Sequence, residues 1–147
     1  MADLENAQRI VVGIDGSQPS RLALQWAMRQ AELTGATVDA IHVWDVPAVY
    51  GMTPLVVMPD DMENAAERMV TDTVLEVAGA HPAVSVHGRA VRGYPAAVLL
   101  GAAQGADLLV VGSRGHGGFV GALLGSVSQL CIHHATCPVV VIRGSDD

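Results

Sequence analysis

The sequence predicts a doubly wound α/β sandwich: a parallel sheet with helices packed on both of its faces. Three observations predict it. Short β-branched runs alternate with helix-length amphipathic segments along the chain, which is the pattern of parallel strands joined by right-handed crossovers. Two of the runs, ADLLVV and PVVVIR, are nearly all aliphatic, as strands buried on both faces are. The runs also close on short polar turns such as GIDGS and GSRG. In folds of this class ligands bind beyond the carboxyl ends of the strands, where the strand order reverses.

RIVVGID (9–15) is the first strand. SQPSRLALQWAMRQAELTG follows as a helix: Ser17 caps its start, Pro19 suits its first turn and Gly35 ends it. Leu22, Trp26, Met28 or Arg29, and Leu33 form an approximate helical stripe. TVDAIHVWDV (37–46) is the second strand. Residues 46–59, VPAVYGMTPLVVMP, hold three prolines, a density that opposes regular structure and predicts a long loop. It either walls a pocket or packs on the end of the sheet. From about Asp60 to Ala80 a second helix repeats Met62, Ala66, Met69, Thr73 and Val77 at steps of three and four, with acids in its first part where the helix dipole favours them. AVSVHGRAVRG is a third strand, YPAAVLLGAAQG a short helix, ADLLVVGS a fourth strand, SVSQLCIHHA a helix and PVVVIR a fifth strand. The strand ends to inspect are Gly13-Ile14-Asp15, Val43-Trp44-Asp45 and Gly112-Ser113-Arg114.

Composition narrows the function. The chain has 147 residues, half of them hydrophobic and only 3% aromatic, so one domain spanning 1–147 with an aliphatic core is expected. Its formal net charge is -7, and no basic cluster interrupts that balance. Nucleic acid and anionic membrane surfaces are therefore poor partners. All 8 basic residues other than histidine are arginine; without lysine there is no Schiff base and no Walker A phosphate lysine. The N-terminus lacks a signal-peptide core and no apolar run reaches the length of a membrane span. A cytoplasmic protein is expected, with Cys131 and Cys137 reduced and used for packing.

The segment GSRGHGGFVGALLGSVS follows the fourth strand. A glycine-rich turn at that place either cradles a phosphate or packs tightly, and glycine content alone leaves both open. The phosphate reading has a mechanism. A helix starting at about Ser126 offers unpaired N–H groups and a partial positive charge, Gly112 and Gly115 keep Cβ atoms away from an anion, and the Ser126 hydroxyl can donate to it. Ser126 is equally suited to capping the helix.

The spacing G-x2-G-x9-G-S, set directly after the fourth strand, resembles the ATP-binding signature of the universal stress protein family. VGIDGS at the first strand end, IHVWD at the second, VRGYPAAVLL before the third helix and GSVSQLCIHHATCPVVVI fit the same family, so the resemblance covers roughly residues 8–143. It implies a five-stranded parallel sheet of order 3-2-1-4-5, a dimer built across the fifth strand (Val139, Val140, Val141, Ile142), and an adenine nucleotide at the switch point. Carried over by position, Gly13, Ile14 and Asp15 form the first strand end, where Asp15 meets the adenosine part and can approach a metal; capping the first helix is its other reading. Val43 presents backbone groups to the adenine edge. Gly112, Ser113, Arg114 and Gly115 form the ribose and phosphate loop, and Gly125, Ser126 and Val127 the phosphate-binding helix start. Some members have a second hydroxyl where this chain has Val127, which leaves only that residue's N–H; Ser128 is a weaker candidate. ATP is the implied ligand, with Mg²⁺ travelling on its phosphates because the protein supplies little charge to balance them. Cyclic AMP, which some members prefer, is the alternative.

Catalysis has thinner support. Hydrolysis needs a positioned base and stabilisation of the leaving charge, and no paired carboxylates flank the loop. His116 lacks an orienting partner, and His133 and His134, as neighbours on a helix, make a poor metal pair. His42, His81 and His87 are scattered. Arg114 and Arg92 are either cations of the site or solvated surface residues. The expected activity is nucleotide-gated regulation in a stress response, with slow ATP hydrolysis as the enzymatic alternative.

Overall fold

The computed structural model describes residues 8–45, 59–113 and 124–144. The elements alternate in the expected order: β1 (Arg9–Gly13), α1 (Gln18–Thr34), β2 (Thr37–Trp44), α2 (Pro59–Ala78), β3 (Val86–Arg92), α3 (Pro95–Ala102), β4 (Leu108–Gly112), α4 (Ser126–His134) and β5 (Val139–Ile142). The strands form one parallel sheet of order β3-β2-β1-β4-β5. The chain builds outward from β1 to β3, then returns to place β4 on the other side of β1, so the switch point lies between β1 and β4. Residues 46–58, most of the proline-rich loop, lie outside the described residues, as do Arg114, Gly115 and His116.

Strand alternation divides the core into two layers. Ile10, Val12, Val38, Ala40 and Val110 face α1 and α2. Val11, Ile41, Leu109 and Val111 face the opposite way, beneath Leu99 of α3 and Cys131 of α4. β1 and β4 are thus covered on both faces, which explains their unbroken aliphatic runs. β5 departs from the expectation of burial on both faces: its four residues are all only half-buried, because it is an edge strand with a neighbour on one side.

Local signals placed α1 well. Ser17 is its N-cap and its hydroxyl accepts from Ser20 N–H, Pro19 lies in the first turn, and Gly35 closes the helix at φ 77°, a left-handed conformation that glycine adopts without a Cβ penalty. Of the predicted stripe Met28 is buried, and the rest is corrected. The buried face consists of Ser20, Ala23, Leu24, Ala27, Met28 and Ala31, whereas Leu33 is 80% exposed. Alanines, Leu24 and Met28 fill the contact, and Leu22 and Trp26 fall at its border. On α2 the buried residues are Ala66, Val70, Thr73 and Val77, three of them in the predicted stripe, with Val70 added and Met62 and Met69 at its edge.

Both cysteines are free. Burial raises the thiol pKa of Cys131, with a smaller contribution from Cys137, and burial is also the main influence raising that of Cys137. Thiolate is the reactive form, so both thiols are scarce nucleophiles at neutral pH. An aromatic disulfide reagent should titrate Cys131, which is fully buried, only after unfolding; rapid native-state labelling of that residue would contradict the packing. No helix among the described residues is long and apolar enough to cross a membrane.

Candidate functional site

The carboxyl ends of β2, β1 and β4 lie side by side, and Gly13, Ile14, Asp15, Val43, Gly112 and Ser113 lie at or just beyond them. Register sets the alignment. β1 pairs with β2 up to Gly13↔Ile41, and with β4 through Val12↔Val110. The Ile14 N–H extends the ladder by donating to Ile41 O at 2.8 Å. Asp15 follows directly, in the turn that leaves β1 beside the end of β2.

The turn from β1 into α1 is built on Asp15. Its Oδ1 accepts from Ser17 N–H at 2.9 Å, while its own N–H donates to Ser20 Oγ at 3.2 Å. Gly16, between them, sits at φ 82°, where a Cβ would be strained. Ser17, not Asp15, is the N-cap of α1; Asp15 braces that cap residue from the turn before it. A residue not assigned to the site from sequence joins it here: the Nδ1–H of His42 donates to Ile14 O at 2.9 Å. A carbonyl only accepts, so Nδ1 bears the proton. His42 ties β2 to the end of β1 at the lip. Its place one residue before Val43 was the available signal.

Gly112 has a packing role that its place in the loop did not reveal. A Cβ there would fall 2.9 Å from Pro19 Cβ, 3.0 Å from the Pro19 carbonyl carbon and 3.1 Å from Ser20 N. Its missing side chain makes room for the first turn of α1. Ser113 is fully buried; its N–H donates to Ile142 O at 2.8 Å and its carbonyl accepts from Gly125 N–H at 2.6 Å. These bonds hold the ends of β4, β5 and α4 together. Ser128 completes the clamp by donating its hydroxyl to Gly112 O at 2.6 Å, with Ser113 O at 3.2 Å. Ser128 is buried and acts as a strut.

The helix start falls where the sequence placed it, with the capping assignment moved by one residue. Gly125 is the N-cap (φ -75°, ψ 166°) and Ser126 is the first helical residue, exposed to solvent. The first intrahelical bond runs from Gln129 N–H to Gly125 O. The amides of Ser126, Val127 and Ser128 consequently have no acceptor within the helix, and the positive end of its dipole lies at the same edge. Arg143, overlooked in sequence, follows Ile142, which pairs with Gly112; it stands exposed beside Ser113. At the far end of the lip Arg92 Nε donates to Asp45 Oδ1 at 3.2 Å, and the Arg92 guanidinium lies over the Trp44 ring, 5.8 Å from its centroid. Arg92 belongs to β3, three strands or about 14 Å from β4, which separates it from the start of α4.

Comparison with known proteins follows the same lines. The model of the universal stress protein family matches residues 6–143. The chain belongs to the universal stress protein family. A universal stress protein of Mycolicibacterium smegmatis is 38% identical over 138 residues, which is 91% of this chain and 45% of that protein. One from Mycobacterium tuberculosis is also 38% identical, over 94% of this chain and 44% of its own length. The chain thus spans about half the length of these curated relatives. Among solved structures, universal stress protein UspA from Lactobacillus plantarum superposes with a TM-score of 0.77 at 23% identity, covering 92% of this chain and 97% of its own. A universal stress protein solved in complex with cAMP gives 0.71 at 27% identity, covering 95% and 98%. The Archaeoglobus fulgidus family member solved in complex with dAMP gives 0.68 at 21%, covering 92% and 97%. The five-stranded order found here is that of the universal stress protein fold.

Proposed function

We propose that the chain binds an adenine nucleotide, ATP with Mg²⁺, across the carboxyl ends of β2, β1 and β4, and that it acts as a nucleotide-dependent regulatory module of the cytoplasmic stress response. One observation carries the reading: the start of α4, with three amides lacking helical acceptors and the exposed Ser126 hydroxyl, is pinned to the end of β4 at the switch point of the sheet. A phosphate placed there gains backbone N–H donors and the helix dipole. Asp15 and the backbone of Val43 then lie toward the adenosine end, one and two strands away from β4.

No three His, Cys, Asp or Glu side chains gather as a metal site among the described residues. The donor set fits a cation bound chiefly by the nucleotide's own phosphates, with Asp15 the one acid of the β1 lip. Mg²⁺ keeps several waters and is commonly held by phosphates plus one or two carboxylates. It would neutralise phosphate charge, while the α4 amides, Ser126 and Arg143 orient the phosphate chain. Cyclic AMP is the second reading, favoured by the 27%-identical structure solved with that ligand.

Titration calorimetry tests both. ATP with Mg²⁺ should bind at micromolar concentration, about -8 kcal/mol. Ser126→Ala should weaken it by roughly 0.5–1.5 kcal/mol, the net worth of one hydrogen bond. Arg143→Ala should weaken ATP more than cyclic AMP, which has fewer phosphate charges. Tighter binding of cyclic AMP selects the second reading, and no heat with either ligand at millimolar concentration overturns the proposal. Steady-state phosphate release, compared with Ser126→Ala, separates binding from slow hydrolysis.

A further inference from the structure

Trp44 is an aromatic side chain that the core does not use. The chain is only 3% aromatic and both core layers are aliphatic. Trp26 packs against one layer, whereas among the described residues Trp44 packs against neither. It is nonetheless half-buried at the lip of the sheet. Parallel pairing sets Trp44 opposite Arg92, so the two side chains leave the same face. Gly93 N–H donates to Trp44 O at 2.9 Å and fixes the two backbones. Arg92 reaches over the indole at 5.8 Å and is tethered by Asp45 at 3.2 Å.

Stability does not account for this arrangement. Arg92 and Asp45 are 57% and 47% exposed, and ion pairs so exposed contribute little. Their position suggests a different use. Trp44 and Asp45 directly follow Val43, on the strand next to β1, whose end leads into Asp15. The α4 start, where phosphates are placed above, lies beyond β4, two strands from β2 and three from β3. The lip thus has an anion-binding end and, about 10–14 Å away, an end made of a planar cation on an indole.

We propose, resting on the nucleotide reading above, that Arg92, laid over Trp44 and held by Asp45, is a stacking shelf for the adenine base. Aromatic rings and guanidinium planes both accept nucleobases by stacking. An arginine already fixed by two partners loses less side-chain freedom when a base arrives. Arg92 is on this account a specificity residue for the base and has no part in holding the phosphates.

Fluorescence and calorimetry test the shelf together. In Trp26→Phe the remaining tryptophan is Trp44, and ATP should quench its emission whereas inorganic tripolyphosphate should not. Trp44→Phe in the otherwise intact chain should abolish the quench, which gives the same answer should Trp26→Phe fold poorly. Arg92→Ala, at an exposed position, should weaken ATP about tenfold, as loss of one stacked base does, and leave tripolyphosphate affinity unchanged. Equal weakening of both ligands makes Arg92 a phosphate contact and overturns the shelf. If calorimetry shows ATP saturating the chain while Trp44 emission stays constant, the shelf falls and the nucleotide site stands. If ATP does not bind at all, both fall together.

Discussion

Gly112→Ala should destabilise the protein by about 1–3 kcal/mol, the usual cost of forcing a methyl into a filled space. For a chain of this size that lowers the melting temperature by roughly 2–4 °C per kcal/mol. The added Cβ meets the Pro19 carbonyl carbon at 3.0 Å and Ser20 N at 3.1 Å. These are backbone atoms of the first turn of α1, which cannot swing aside as a side-chain tip would. Relief requires α1 to lift from β4, although Ala23, Leu24, Ala27 and Met28 are packed there. Gly101 is the control. It lies in α3 with nothing within 4 Å of an added Cβ, so Gly101→Ala should stabilise by about 0.5–1 kcal/mol through helix propensity. Thermal melts of the two variants should therefore move in opposite directions. A Gly112→Ala protein that melts like the parent but has lost nucleotide affinity would show that making room for an anion, not packing, is the main use of Gly112.

The same glycine shows where sequence reading ran out. The spacing of Gly112, Gly115, Gly125 and Ser126 identified the family, and the start of α4 fell at Ser126 as expected. What Gly112 touches depends on how α1, ninety residues earlier, lies across β4, and no local pattern records that. The signals that succeeded are local ones: Ser17, Pro19 and Gly35 bounding α1, and the aliphatic runs of β1 and β4. Those that failed needed tertiary geometry. The buried face of α1 combines Ala23, Ala27 and Ala31 with Leu24 and Met28, a face that is set by how the helix lies on the sheet. Ser128 turned out to brace β4, and His42 and Arg143 join the lip through strand register alone.

The two edges of the sheet lead to the last prediction. β3, at one edge, carries His87, Gly88, Arg89 and Arg92, and charges of that kind discourage edge pairing. β5, at the other, is Val139, Val140, Val141 and Ile142, with no charge and every residue half-buried. Leu130 and Ile132 of α4, the helix beside it, are 46% and 44% exposed. An uncharged aliphatic edge next to exposed apolar helix residues favours a second copy of the same chain, paired through β5 by symmetry. Wild-type protein should sediment as a dimer at micromolar concentration. Val140→Asp combined with Ile142→Asp should sediment as a monomer: loss of even about 2.8 kcal/mol at the interface raises the dissociation constant a hundredfold, and an apolar side chain removed from water contributes about 1.5–3 kcal/mol. Both positions also touch the α1 and α2 layer, so far-UV circular dichroism must show the variant folded for the result to count. A single substitution, Val139→Asp, on the opposite face of β5, supplies a second test if the double variant unfolds. A wild-type monomer, or a dimer that survives in folded variants, would leave the bare edge of β5 without the partner assigned to it.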